Sequence, residues 1–129
     1  MRLLLDTHVL LWALITPARL SPAVRDQLED PANTVLFSAA SIWEIAIKAR
    51  LGRADFPQRP AEVSAAARRT GFTELPVHAE AAARVAELPL LHRDPFDRLL
   101  VAQAISEPAR LYTADPLLPP YSDLVTLIA

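Results

Sequence analysis

The 129-residue sequence contains no cysteine. That excludes disulfides, thiolate zinc sites and cysteine nucleophiles together. Glycine is almost as scarce. Only Gly52 and Gly71 occur, so no glycine-rich loop is available to cradle a phosphate. Lysine is confined to Lys48. No apolar run approaches the length of a bilayer span. Met1-Arg2-Leu3-Leu4-Leu5 begins like a secretion signal, but Asp6 and His8 interrupt it and no small-residue cleavage site follows in register. The expectation is a cytoplasmic protein with no membrane association. Excess charge is also missing: the net charge is −2 and the pI about 5.9. A chain held to nucleic acid by bulk phosphate attraction is usually basic. One local exception runs from residue 48 to 69, where Lys48, Arg50, Arg53, Arg59, Arg68 and Arg69 outnumber Asp55 and Glu62. It reads either as a solvated helical face or as a rim that guides phosphates.

What is present is a hydrophobic content of 52%, too high for extended disorder, in a length that fits one domain over residues 1–129. Residues 2–6 form a continuous apolar run of the kind a buried parallel strand requires. Thr7 is placed to cap a helix carrying Val9, Leu10, Leu11, Trp12 and Leu14, which Pro17 ends. Ser21 caps a second helix with Pro22 at its first position. A strand follows at 34–37. The next helix starts at Ser38 or Ser41, where Ser41-x-x-Glu44 has capping-box spacing, and closes at Gly52. Helices are expected over 61–70, from 77 or 78 to about 88, and over 96–106. Strands are expected at 72–75 (an edge, because Pro76 follows), 109–113 and 123–128. Alternating strands and helices imply a parallel sheet with helices on both faces. Right-handed crossovers bring the strands' carboxyl ends to one side.

Four acids fall near that side. Asp6 and Asp115 follow strands, whereas Glu44 and Asp97 sit near helix starts. Carboxylates gathered there repel one another without a cation, and an all-oxygen acidic pocket suits Mg²⁺ or Mn²⁺. Metal-assisted phosphodiester chemistry is therefore the leading reading of the residues themselves. Each acid also has a structural role open to it. Asp6 fits a helix cap, Glu44 a capping-box partner of Ser41, Asp97 a helix-dipole residue, and Asp115 a turn before Pro116. Asp94 competes with Asp97; the favoured division makes Asp97 the ligand and Asp94 the helix cap. Thr7, Ser38 and Thr113 are candidate hydrogen-bond donors to carboxylate or phosphate. Arg98 is a candidate partner of an acid or of the scissile phosphate. His8, His78 and His92 lack metal-ligand spacing and read as structural or solvated. Trp12 and Trp43 read as anchors of the core or of a dimer interface.

Four blocks carry a family resemblance across essentially the whole chain: Leu4-Leu5-Asp6-Thr7-His8-Val9-Leu10-Leu11-Trp12; Ser38-Ala39-Ala40-Ser41-Ile42-Trp43-Glu44-Ile45-Ala46-Ile47-Lys48; His92-Arg93-Asp94-Pro95-Phe96-Asp97-Arg98-Leu99-Leu100-Val101-Ala102-Gln103-Ala104; and Leu111-Tyr112-Thr113-Ala114-Asp115. The chain resembles the PIN-domain ribonucleases of the VapC toxin type. The resemblance implies a three-layer α/β fold, with a mostly parallel sheet of about five short strands flanked by helices. It implies a Mg²⁺- or Mn²⁺-dependent endoribonuclease, the toxin of a toxin–antitoxin pair, which hydrolyses RNA with metal-activated water. Asp6, Glu44, Asp97 and Asp115 match the family's catalytic and metal-binding acids. A VapB-like antitoxin and a homodimer are implied as partners. Two competing readings are a metal-dependent phosphotransfer domain and a catalytically silent binding module of the same fold. The first is disfavoured because no paired acids flank the opening strand and no lysine follows a late one.

Overall fold

The computed structural model describes residues 1–53 and 56–128; Asp55 of the basic segment lies outside them. Five strands form one sheet: β1 (Arg2–Leu5), β2 (Thr34–Ser38), β3 (Thr73–Leu75), β4 (Arg110–Thr113) and β5 (Val125–Leu127). Their order is β3-β2-β1-β4-β5, and every neighbouring pair is parallel. Six α-helices surround it: α1 (Thr7–Ile15), α2 (Pro22–Glu29), α3 (Ala39–Arg50), α4 (Pro60–Thr70), α5 (Ala79–Arg84) and α6 (Pro95–Ser106). The three-layer α/β arrangement and the edge position of β3 agree with the sequence reading.

Alternation along β1 explains the layers. Leu3 and Leu5 join Val9, Leu10, Ile45, Val63 and Phe56 in the core on one face. Leu4 points the other way, to Leu36, Leu100, Val101 and Leu111. A period of two along a strand buried on both faces forces this division. No helix among the described residues is long and apolar enough to cross a membrane.

Helix ends follow local chemistry. Ser21 accepts from Val24 N–H at 3.2 Å, ahead of Pro22 at the first helical position. Gly71, at φ +96°, ends α4, and its neighbour Phe72 N–H reaches back to the Ala67 carbonyl at 2.9 Å. This left-handed closure is cheap only for glycine.

Four expectations are corrected. Asp6 rather than Thr7 caps α1, since Val9 N–H donates to Asp6 Oδ1 at 2.8 Å. Of the two starts open to α3, Ser38 is the cap, accepting from Ala40 N–H at 3.0 Å, and the capping-box alternative is the one corrected. Ser41 therefore lies inside the helix, and no capping box with Glu44 forms. The α-helix at 79 stops at Arg84 and tightens into a 3₁₀ turn over Val85–Glu87, because the Arg98 guanidinium takes the carbonyls of Val85 and Leu88. β5 begins only at Val125, since Ser122 turns the preceding residues by accepting from Leu124 N–H at 3.1 Å.

Candidate active site

The strand order reverses its direction of growth between β1 and β4. At such a switch point the loops leaving the carboxyl ends diverge and open a crevice. Asp6 follows β1 there, Thr113 ends β4, and Ala114-Asp115 follow it. A cleft of about 370 Å³ opens at this point, lined by Asp6, His8, Trp12, His92, Asp94, Asp97, Ala114 and Asp115.

Asp6 is 5% exposed and both its oxygens are engaged. Oδ1 caps α1 through Val9, and Oδ2 accepts from the Thr113 hydroxyl at 2.5 Å. Thr113 Oγ1 also accepts from Asp115 N–H at 3.0 Å, so one buried hydroxyl ties the ends of β1 and β4 together. Burial pushes the Asp6 carboxyl up, and the charge of Glu44 adds to this. The bonds from Thr113 and Val9, with His8 nearby, act in the opposite direction.

Asp94 and Asp97 share the start of α6 with Pro95 at its first position. Asp94 Oδ1 accepts from Phe96 N–H at 2.8 Å and from Asp97 N–H at 3.2 Å. Capping by Asp94 leaves the Asp97 side chain to face the cleft. Burial raises Asp97 from 3.8 to about 8, and the charges of Asp94, Asp6, Glu44 and Asp115 reinforce the rise. A carboxyl held protonated near neutrality by burial, with carboxylates on several sides adding to the rise, marks a site short of positive charge.

His92 lies between the remaining acids, contrary to its reading as structural or solvated. Its Nε2 is 2.7 Å from Asp115 Oδ2 and 3.4 Å from Asp97 Oδ2. Its Nδ1 accepts from Asp94 N–H at 3.0 Å, which fixes the tautomer with the proton on Nε2. One ligand-capable atom from each of His92, Asp97 and Asp115 falls within 4.8 Å of the others. In this tautomer, however, His92 is a donor to Asp115, with the Asp97 carboxyl alongside. Asp6, Asp97 and Asp115 line the same cleft, and carboxylate oxygens are the donors a hard divalent cation prefers. No sequence spacing announced His92, because the loop before α6 must fold back to bring it to Asp115.

Glu44 is 2% exposed and stands behind this group, close enough for its charge to act on Asp6 and Asp97. Thr7 Oγ1 donates to Glu44 Oε1 at 2.6 Å and lies 3.0 Å from Ser41 Oγ. Lys48, one turn along α3, pairs with Glu44 Oε2. Lys48 belongs in sequence to the basic stretch at 48–69, but its side chain is only 17% exposed and turned to Glu44. None of the six basic residues of that segment lines the acidic cleft. Arg59 and Arg69 line a separate groove of about 400 Å³ with Leu14, Ile15 and Val63, and Arg68 pairs with Glu74.

The other candidates take supporting positions. Ser38 donates to Gln103 Oε1 at 2.6 Å, and Gln103 Nε2 donates to the Pro76 carbonyl at 3.2 Å. This buried relay fastens β2, β3 and α6 behind the site. Arg98 does not turn to an acid. It donates to the carbonyls of Val85 at 3.1 Å, Leu88 at 3.4 Å and His92 at 3.5 Å, and so secures the loop that carries His92. His78 is exposed. His8 packs edge-on against Phe56 at 5.3 Å. Trp43 is not a core residue; it is 61% exposed and stacks edge-on against Phe96 at 5.4 Å. Trp12 is partly buried beneath the Arg19 guanidinium at 4.5 Å.

No curated protein matches the chain. Among solved structures, a chain of the VapBC2 complex of Rickettsia felis, bound to a DNA fragment from their promoter, superposes with a TM-score of 0.70. The match covers 97% of this chain and 96% of that one at 17% identity, a likeness of fold. The family model described as PIN domain matches residues 3–119. The chain thus belongs to the PIN domain family.

Proposed function

We propose that the protein is a metal-dependent endoribonuclease of the VapC type, the toxin of a toxin–antitoxin pair acting in the cytoplasm. The observation that carries this reading is the convergence of Asp6, Asp97 and Asp115 at the switch point, with Asp97 driven up to about 8. Membership of the PIN family, and the fold shared with a chain of a VapBC complex, support it.

Asp6, Asp97 and Asp115 would hold Mg²⁺ or Mn²⁺, with Glu44, paired to Lys48, behind them and close enough for its charge to act on Asp6 and Asp97. The cation, when bound, supplies Lewis acidity toward a phosphodiester and acidifies water. The protein's own residues do the positioning. Thr113 fixes the rotamer of Asp6, Asp94 frees Asp97 by taking the cap, and His92 holds Asp115 beside Asp97. Asp97, raised to about 8 by burial in the metal-free protein, would have to give up a proton to join the oxygen set, so uptake of a cation near neutral pH would release protons. Cleavage by in-line attack of water leaves a 5′-phosphate and a 3′-hydroxyl.

A VapB-like antitoxin is the proposed partner, alongside a second copy of the chain. An amphipathic inhibitor helix would use the grooves beside α1. One, of about 310 Å³, is lined by Ala13, Leu20 and Leu28; the other, of about 400 Å³, by Leu14, Ile15 and Val63 between α1 and α4.

The test is incubation of the purified protein with a mixed pool of structured RNAs in Mg²⁺, in Mn²⁺ and in EDTA. Cutting that requires the ion supports the reading. A folded protein that binds Mn²⁺ and cuts nothing would favour a binding module or a phosphotransfer domain.

A further inference from the structure

Lys48 is the only lysine of the chain, every other basic residue among its 13 being arginine. Its place is unusual for a lysine, since the side chain is 17% exposed and its ammonium sits on Glu44, whose side chain is 3% exposed. A buried ionised carboxylate is tolerated only when paired and hydrogen-bonded. Glu44 meets both conditions without a cation: Thr7 serves one oxygen and Lys48 the other. The ammonium is held from two further directions. It lies 4.8 Å from the ring centroid of Phe56, a fully buried residue, which adds cation–π attraction. It also stands in the last turn of α3, where the helix dipole favours positive charge. A compact ammonium acts as a point charge, much as a small ion would.

We propose that Lys48 is a built-in counter-cation that reserves Glu44, so the acidic cleft takes up one divalent ion rather than two. This rests on the reading of the cleft as a divalent-cation site. Asp6, Asp97 and Asp115 form the ion's oxygen set, and Glu44 acts on it through its field while its own oxygens stay on Thr7 and Lys48. Glu44 is then a positioning residue and not a ligand.

Binding of Mn²⁺, followed by the electron paramagnetic resonance signal of the free ion, tests this without reference to activity. The wild-type protein is expected to bind one ion per chain. Lys48→Met should raise this to two, and Lys48→Met combined with Glu44→Gln should return it to one. A wild type that binds two ions, or a folded Lys48→Met that still binds one, overturns the inference while leaving the cation site itself standing. A folded wild type that binds none, matched by Asp97→Asn, overturns both. Should Lys48→Met not fold, anomalous diffraction from Mn²⁺-loaded wild-type crystals decides the matter. One ion with Glu44 still on Lys48 supports the inference, and an ion on Glu44 refutes it.

Discussion

Replacing Asp97 by asparagine should stabilise the metal-free protein. Burial and four neighbouring acids raise the Asp97 carboxyl from 3.8 to about 8. In the unfolded chain the group ionises freely near neutral pH, whereas in the folded chain it stays largely protonated. Each unit of difference is worth ~1.4 kcal/mol, and about three units separate the ordinary value from neutrality, so the folded state forgoes roughly 4 kcal/mol. Because the folded value lies above the unfolded one, the contribution of Asp97 is fully favourable below about pH 4 and is lost as pH rises through about 8. Asparagine does not ionise in either state. Asp97→Asn and wild type should therefore unfold alike below about pH 4, diverge as pH rises from about 4 to about 8, and keep a constant gap above that. Near neutrality the variant should be ahead by roughly 2–4 kcal/mol, on the order of 10 °C in Tm for a domain of this size. Urea unfolding in EDTA across a pH series measures this. Adding Mn²⁺ should narrow or reverse the gap, because only the wild type gains fully from binding. A variant no more stable than wild type, or ahead by the same margin at every pH, would refute the reasoning.

Thr113→Val should destabilise the fold by about 1–3 kcal/mol, since it leaves a buried Asp6 oxygen without its donor, and it should weaken Mn²⁺ binding in a calorimetric titration. Ser38→Ala should cost a similar ~1–3 kcal/mol by orphaning the Gln103 carbonyl oxygen, seen as a lower Tm, but leave Mn²⁺ affinity within about twofold because Ser38 does not line the cleft. His92→Gln keeps a side-chain donor toward Asp115. If His92 acts as a donor, Mn²⁺ affinity should fall by no more than about 10–100-fold, the range for an outer-shell partner, and a loss of all measurable binding would contradict that role.

The sequence was most legible where local signals and tertiary needs agreed. The β1 run Leu3-Leu4-Leu5, buried on both faces, announced a parallel strand, and Ser21-Pro22 and Gly71 marked helix ends that formed as expected. It misled where one spacing served two purposes. Ser41-x-x-Glu44 fits a capping box, yet the cap falls to Ser38, the last residue of β2, which accepts from Ala40 N–H, and Glu44 turns to Thr7 and Lys48. Contacts across long stretches of chain left no local signal: the bond between Thr113 and Asp6, the relay from Ser38 through Gln103 to Pro76, and the position of His92 between Asp97 and Asp115. Arg98 shows the same limit. Its place after Asp97 suggested a partner of acid or phosphate, but the nearby carbonyls of the loop ahead of α6 claim it.

The measurement that bears most directly on the central claim is cleavage of a pool of structured RNAs by wild type beside Asp6→Asn, at fixed Mn²⁺, with the product ends mapped. The account predicts cuts by the wild type alone, each leaving a 5′-phosphate and a 3′-hydroxyl. Equal cutting by a folded Asp6→Asn protein, or products ending in cyclic phosphates, would contradict it.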